Sequence, residues 1–270
     1  MQNAVIATSE KGYWFSKNPS KAWGEKFFLC YLPFFFFLNV GKQAFGWMDA
    51  GNLWHIGQNI IMLAPLYIVP LLIHNETAFG RRWFQTYWFK FNVWNYVFAF
   101  AATYFFTEYF FDVLGMVYHF PQVSLYWDAV LVGSGEQKIP LGMYFNAAAF
   151  FVVYHSLAFV FMRRIFTSRL NIGPWVVVIV TVVFAYFFAW AETRLVATDA
   201  NKPFFYYKDL GWMLKYGSAF YACYFLVSFP FAYRIDEAAD ENWPLSKVIV
   251  EALAASMLVF FLLDIITPLI

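Results

Sequence analysis

Residues 175–191, WVVVIVTVVFAYFFAWA, contain no charged side chain, and the first to follow is Glu192. A helix needs roughly 20 largely apolar residues to cross a hydrocarbon layer about 30 Å thick. Stretches of this kind recur along the chain, which is 62% hydrophobic and only 13% charged, too few charges to cover a water-facing surface. The pattern predicts an all-α, multi-pass membrane helical bundle of about seven spans: 24–43, 55–73, 91–111, 141–162, 175–195, 214–233 and 248–269. Helices satisfy their own backbone groups in lipid, so the runs need no partner strand. Pro33 is expected to kink the first.

With the N-terminus in the cytoplasm, the tail and the even-numbered loops carry most of the 18 Lys and Arg residues, in the sense of the positive-inside tendency. GRRWF at 80–84 and RRIFTSR at 163–169 read as solvated headgroup anchors. Residues 1–270 read as a single integral membrane domain with a short polar N-terminal tail. That tail lacks an apolar core followed by a small-residue cleavage site, and is expected to stay on the mature protein. A net charge of +1 with no basic stripe argues against nucleic acid as partner. Cys30 and Cys223 lie in apolar runs and read as packing residues; neither a disulfide scaffold nor a zinc site is indicated, and the histidines form no metal-binding spacing.

Ionisable groups inside spans are costly and must face protein, pair or stay neutral. Glu108, Glu192 and Asp264 fall near span ends on one side of the seven-span arrangement; His155 lies deeper and Glu251 starts the last span. Apolar aromatic surroundings disfavour an ionised carboxylate, and a neutral carboxylic acid can donate a proton that a nearby carboxylate or histidine accepts. Glu108, Glu192, Asp264 and His155 are therefore the candidate acid/base groups. The competing reading for each is an interhelical hydrogen bond. Glu251 reads as a helix-start acid. Helical spacing adds Tyr104 and Asp112 to the face of Glu108 and Phe188 to that of Glu192. Trp94, Asn95, Tyr104 and Trp190 are candidates to line an apolar cavity and steady a developing cation. With 12 Trp, 18 Tyr and 36 Phe in the chain, packing competes with that role at every ring.

Several ordered segments carry a resemblance: NPSKAWGE at 18–25, NYVFAFAATYFFTEYFFDVLGMVYHFP at 95–121, YHSLAFVFMRR at 154–164, AETR at 191–194 and FYYKD at 205–209. YACYFLVSFPFAYRIDE at 221–237 and WPLSKVIVEALAASMLVFFLLD at 243–264 continue it. Together they resemble the cycloeucalenol cycloisomerase family over nearly the whole length. The resemblance implies a multi-pass membrane enzyme that opens the 9β,19-cyclopropane ring of a sterol to an 8-ene, with no organic cofactor or metal. It implies a sterol or triterpenoid substrate among membrane lipids, in the endoplasmic reticulum of a eukaryote or the inner membrane of a bacterium. It favours Glu192, within AETR, as proton donor or acceptor. The family pattern THYFF reads TEYFF here, which puts Glu108 at the histidine position. Asp236 and Glu237 in RIDE match another family segment and are expected to pair with Arg234 or to arrange their loop. A noncatalytic sterol-binding or transport protein is the alternative, since it needs the same cavity and only a polar hook for the 3-hydroxyl. An ion channel is weaker, because no repeated polar pore face appears.

Overall fold

Asn18 and Pro19 start the first helix by two local devices: the Asn18 side chain accepts from the Lys21 backbone N–H, and Pro19 occupies the first turn, where its missing donor costs nothing. The computed structural model describes residues 12–168 and 172–270. Residues 1–11 of the expected tail, and Arg169 of RRIFTSR, lie outside that description.

Helix α1 (Pro19–Ala44) is followed by α2 (Asn52–Leu72), the short α3 (His74–Ala78), α4 (Tyr87–Ala101), α5 (Thr107–Asp112) and strand β1 (Met116–Tyr118). Then come α6 (Leu141–Phe166), α7 (Pro174–Val196), strand β2 (Phe205–Tyr207), α8 (Leu210–Trp212), α9 (Ser218–Tyr233) and α10 (Leu245–Ile266). Five helices among the described residues are long and apolar enough to cross a membrane: α1, α2, α6, α7 and the segment Leu245–Leu269. This corrects the expected seven. The other two segments are interrupted, 91–111 by a π-helical turn at Ala102–Phe106 and 214–233 by another at Met213–Gly217. Each leaves a helix of at most 16 residues. The long apolar helices mark a membrane-associated protein.

Among the described residues the two named strands form one ribbon. Strands β1 and β2 pair antiparallel, Met116 opposite Tyr207 and Tyr118 opposite Phe205. Period-two alternation puts those four side chains on one face. Because β1 follows α5 and β2 follows α7, the ribbon brings the C-terminal ends of those helices to one end of the bundle. Helix α6 packs against α1, α2, α4, α7 and α9. Gly217, in the second π turn, allows a close approach there: a Cβ would collide with Met213 Sδ and press on Leu114.

The opposite end is held by buried charges. Arg163 pairs with Glu25 at 2.6 Å and with Glu237 at 2.7 Å, Lys21 with Glu237 at 2.8 Å, and Lys90 with Asp236. Arg163 is therefore not a headgroup anchor: its side chain is fully buried, where a charge persists only if paired. Asp236 and Glu237 arrange their loop as expected, but through Lys21, Lys90 and Arg163; Arg234 pairs instead with Glu251 at 2.6 Å. Burial alone would raise the Glu237 carboxyl, but the charges of Lys21 and Arg163 outweigh it and hold it below its ordinary value of 4.5. A carboxyl depressed in the native state contributes stability that is complete above its unfolded value and lost as pH falls through the native one. Acidification from about pH 6 to about pH 3 is thus expected to lower the unfolding midpoint in detergent more for the wild type than for Glu237→Gln. Parallel acid profiles for the two would remove this role.

Candidate functional site

A cavity of about 560 Å³ lies between α1, α6 and α7 and is capped by the ribbon. It falls within the range of sites that hold a drug-sized ligand. All four same-face ribbon residues, Met116, Tyr118, Phe205 and Tyr207, line it. The first π turn contributes Ala102 and Thr103, and Thr107 follows from α5. Interruptions of this kind often mark functional sites in helices, because one extra residue per turn re-aims the side chains beyond it. Phe36 and Val40 on α1, and Phe187 and Leu195 on α7, both line the cavity and are exposed, so its mouth faces the apolar exterior of the bundle.

Glu192 is the sole carboxyl-bearing residue among those that line this cavity. It sits one turn before the end of α7, where the helix stops at Val196. The Tyr221 hydroxyl of α9 donates to Oε2, and Tyr154 of α6 supplies a second hydroxyl contact. Tyr118, Tyr207 and Tyr224 also line the cavity and feel its charge. On the ribbon, burial first and the Glu192 charge second push the phenols of Tyr118 and Tyr207 well above their ordinary range, so both remain neutral donors. The arrangement is one carboxyl ringed by neutral hydroxyls and aromatic faces, suited to give up and recover a single proton beside an apolar ligand.

The remaining expected site residues lie elsewhere. Glu108 is 2% exposed, on the neighbouring face of α5, with Gly133 of the 113–140 loop packed so closely that a Cβ there would collide with the carboxylate. Asp112 is near it, as the spacing predicted, and neither carboxylate oxygen of Glu108 has a hydrogen-bond partner among the described residues. Asp264 is exposed on α10 and accepts from the Tyr109 hydroxyl at 3.0 Å. Glu108, Glu192 and Asp264 therefore do not converge. His155 is fully buried, its ring nitrogens 2.7 Å from the Phe151 carbonyl oxygen and 2.9 Å from Ser228 Oγ, within a cage of rings that includes Trp94 and Phe229.

Trp94 stacks on Phe98 in the same core, and Asn95 Nδ2 donates to the Ala148 carbonyl at 2.8 Å. Tyr104 packs against Phe100 and Trp127, and Trp190 points outward, 38% exposed. None of these four lines the cavity, whereas Phe188 does. The five tyrosines around Glu192 all fall in segments that carry the resemblance, but nothing within those segments sets them apart from the other rings.

The chain is 31% identical over 276 residues to the cycloeucalenol cycloisomerase of Arabidopsis thaliana, an alignment covering 96% of this chain and 90% of that protein. No family model matches the chain, and no solved structure does.

Proposed function

The chain belongs to the cycloeucalenol cycloisomerase family, and on that premise we propose that it opens the 9β,19-cyclopropane ring of a membrane sterol to give an 8-ene, with Glu192 as the proton-transfer group. The observation that carries the reading is the one carboxyl that lines the cavity among the described residues, held by Tyr221 among aromatic walls.

The substrate enters from lipid through the exposed apolar rim between α1 and α7. The neutral carboxyl of Glu192 gives its proton to C19; the C9–C19 bond breaks and its electron pair becomes the new C–H bond. Cationic character then rests on C9, where the π faces of neighbouring rings such as Phe188 and Tyr224 steady it. Loss of the C8 proton turns that C–H pair into the C8=C9 double bond. The carboxylate just formed on Glu192 takes this proton, directly or through the Tyr221 and Tyr154 hydroxyls, so the protein ends as it began and the sterol is an isomer of the substrate. Tyr118 also lines a smaller polar pocket with His119, Gln137 and Lys138, the side on which the Glu192 proton is expected to exchange with water.

Membranes containing the protein, incubated with cycloeucalenol, are expected to yield a product of unchanged mass with an 8-ene, identified by gas chromatography–mass spectrometry and NMR. Folded protein that binds the sterol but leaves the cyclopropane intact would replace this reading with sterol carriage.

A further inference from the structure

Lys42 breaks the pattern that the other deeply buried cations keep. Lys21, Lys90 and Arg163 each contact a carboxylate. Lys42 is 3% exposed, and no ion pair to it exists among the described residues; its Nζ donates to Asn59 Oδ1 at 2.5 Å and lies 4.0 Å from Met62 Sδ. A lysine nitrogen offers three donors and a neutral amide oxygen takes one. The remaining N–H donors of Lys42 therefore lack a strong acceptor among the described residues, and a buried donor left unfilled is costly.

A ligand acceptor has room there, because Lys42 lines the cavity beside Asn39 of α1 and Asn146 of α6. Asn146 Nδ2 donates to the same Asn59 oxygen at 3.2 Å, and Asn59 Nδ2 is tied to the His55 carbonyl at 2.9 Å, which fixes the amide and with it the lysine head. On α6, Asn146 and Tyr154 are eight residues apart, about 12 Å along the helix axis. Ala147, Phe150 and Phe151, between them, give the cavity an apolar wall. A ligand that touches both ends is an elongated apolar body with a polar group at the Lys42 end and its reacting part near Glu192.

We propose that Lys42 and Asn146 form the anchor for the 3-hydroxyl group of the sterol, a ligand class that rests on the isomerase reading. A hydroxyl, the polar group that the isomerase reading places on the ligand, fits this pair in both directions. A hydroxyl oxygen accepts from Lys42 while its proton goes to an amide carbonyl such as Asn146 Oδ1 or Asn39 Oδ1; a carboxylate could only accept.

The test is equilibrium binding in detergent, read by quenching of tryptophan fluorescence, of cycloeucalenol and its 3-deoxy analogue. The wild type is expected to bind the alcohol at least about fivefold more tightly than the deoxy compound, as leaving a buried donor unsatisfied predicts. Lys42→Met is expected to hold both within about twofold, and Asn146→Leu, at a half-buried position, to shrink the preference in the same direction. Equal affinities in the wild type, or no saturable binding of either, overturns the anchor, and that comparison needs no variant to fold. Preference for the alcohol without 8-ene formation would retire the isomerase reading and keep the anchor. Turnover of both sterols at equal KM would do the reverse.

Discussion

Glu192→Gln is expected to give a folded, membrane-inserted protein whose conversion of cycloeucalenol is about 10²–10⁴-fold slower than wild type, the usual contribution of a positioned acid or base. The amide has nearly the volume of the carboxyl and its oxygen still accepts from Tyr221, so the cavity wall and the α7–α9 contact survive. What disappears is the transferable proton, and among the described residues no other carboxyl lines the cavity to replace it. Tyr221→Phe should cost less, because it removes a hydrogen bond to the carboxyl and leaves the carboxyl itself. The rate is measured by product formation per folded protein, with folding followed by a monodisperse peak in detergent. A Glu192→Gln protein of normal rate would remove Glu192 from the chemistry and return attention to Glu108, whose buried and unpartnered carboxyl is then the next acid to substitute.

Arg163→Met should be the most damaging substitution away from the cavity, with a loss of about 3–5 kcal/mol of stability. Its guanidinium bridges Glu25 of α1 and Glu237 of the α9–α10 connection and also donates to the Trp14 carbonyl at 3.4 Å, so three parts of the chain meet on one side chain. Methionine fills much of the volume but leaves the Glu25 carboxylate buried at 1% exposure without its strongest partner. Pairing the change with Glu25→Gln removes the orphaned charge and should recover part of the loss, a coupling that a double-mutant cycle on thermal unfolding midpoints reads directly. Additive effects of the two substitutions would mean that the pair does not act as a unit.

The apolar helices were legible because membrane crossing leaves little freedom in composition: α7 is visible as an uncharged run that ends at Glu192. The π turns were not, since ATYFF and MLKYG differ in no obvious way from α-helical sequence around them. That gap explains the misplaced count of spans and the position of Glu108. The spacing of Glu108 and Asp112 described a real neighbourhood, but the cavity takes the adjacent residues Thr103, Thr107 and Phe110. That set, like Tyr104, Glu108 and Asp112, mixes one ring with polar side chains, so the pattern cannot choose between them. Trp94 and His155 illustrate the same limit: each belongs to an apolar helix that packs on every side, and their partners, such as Ser228, come from distant sequence. Glu192 was legible twice, as an acid inside an apolar span and as part of AETR. Its tyrosine surroundings come from α6, α9 and a ribbon pairing, which local pattern does not bring together.

The most direct test of the account is conversion of cycloeucalenol in deuterated water by wild type and Glu192→Gln, with the product examined by NMR. The account predicts one deuterium in the new C19 methyl group of an 8-ene formed by the wild type, and no comparable product from the variant. An 8-ene whose C19 methyl carries no deuterium, although Glu192 has equilibrated with the solvent, would contradict protonation by that carboxyl.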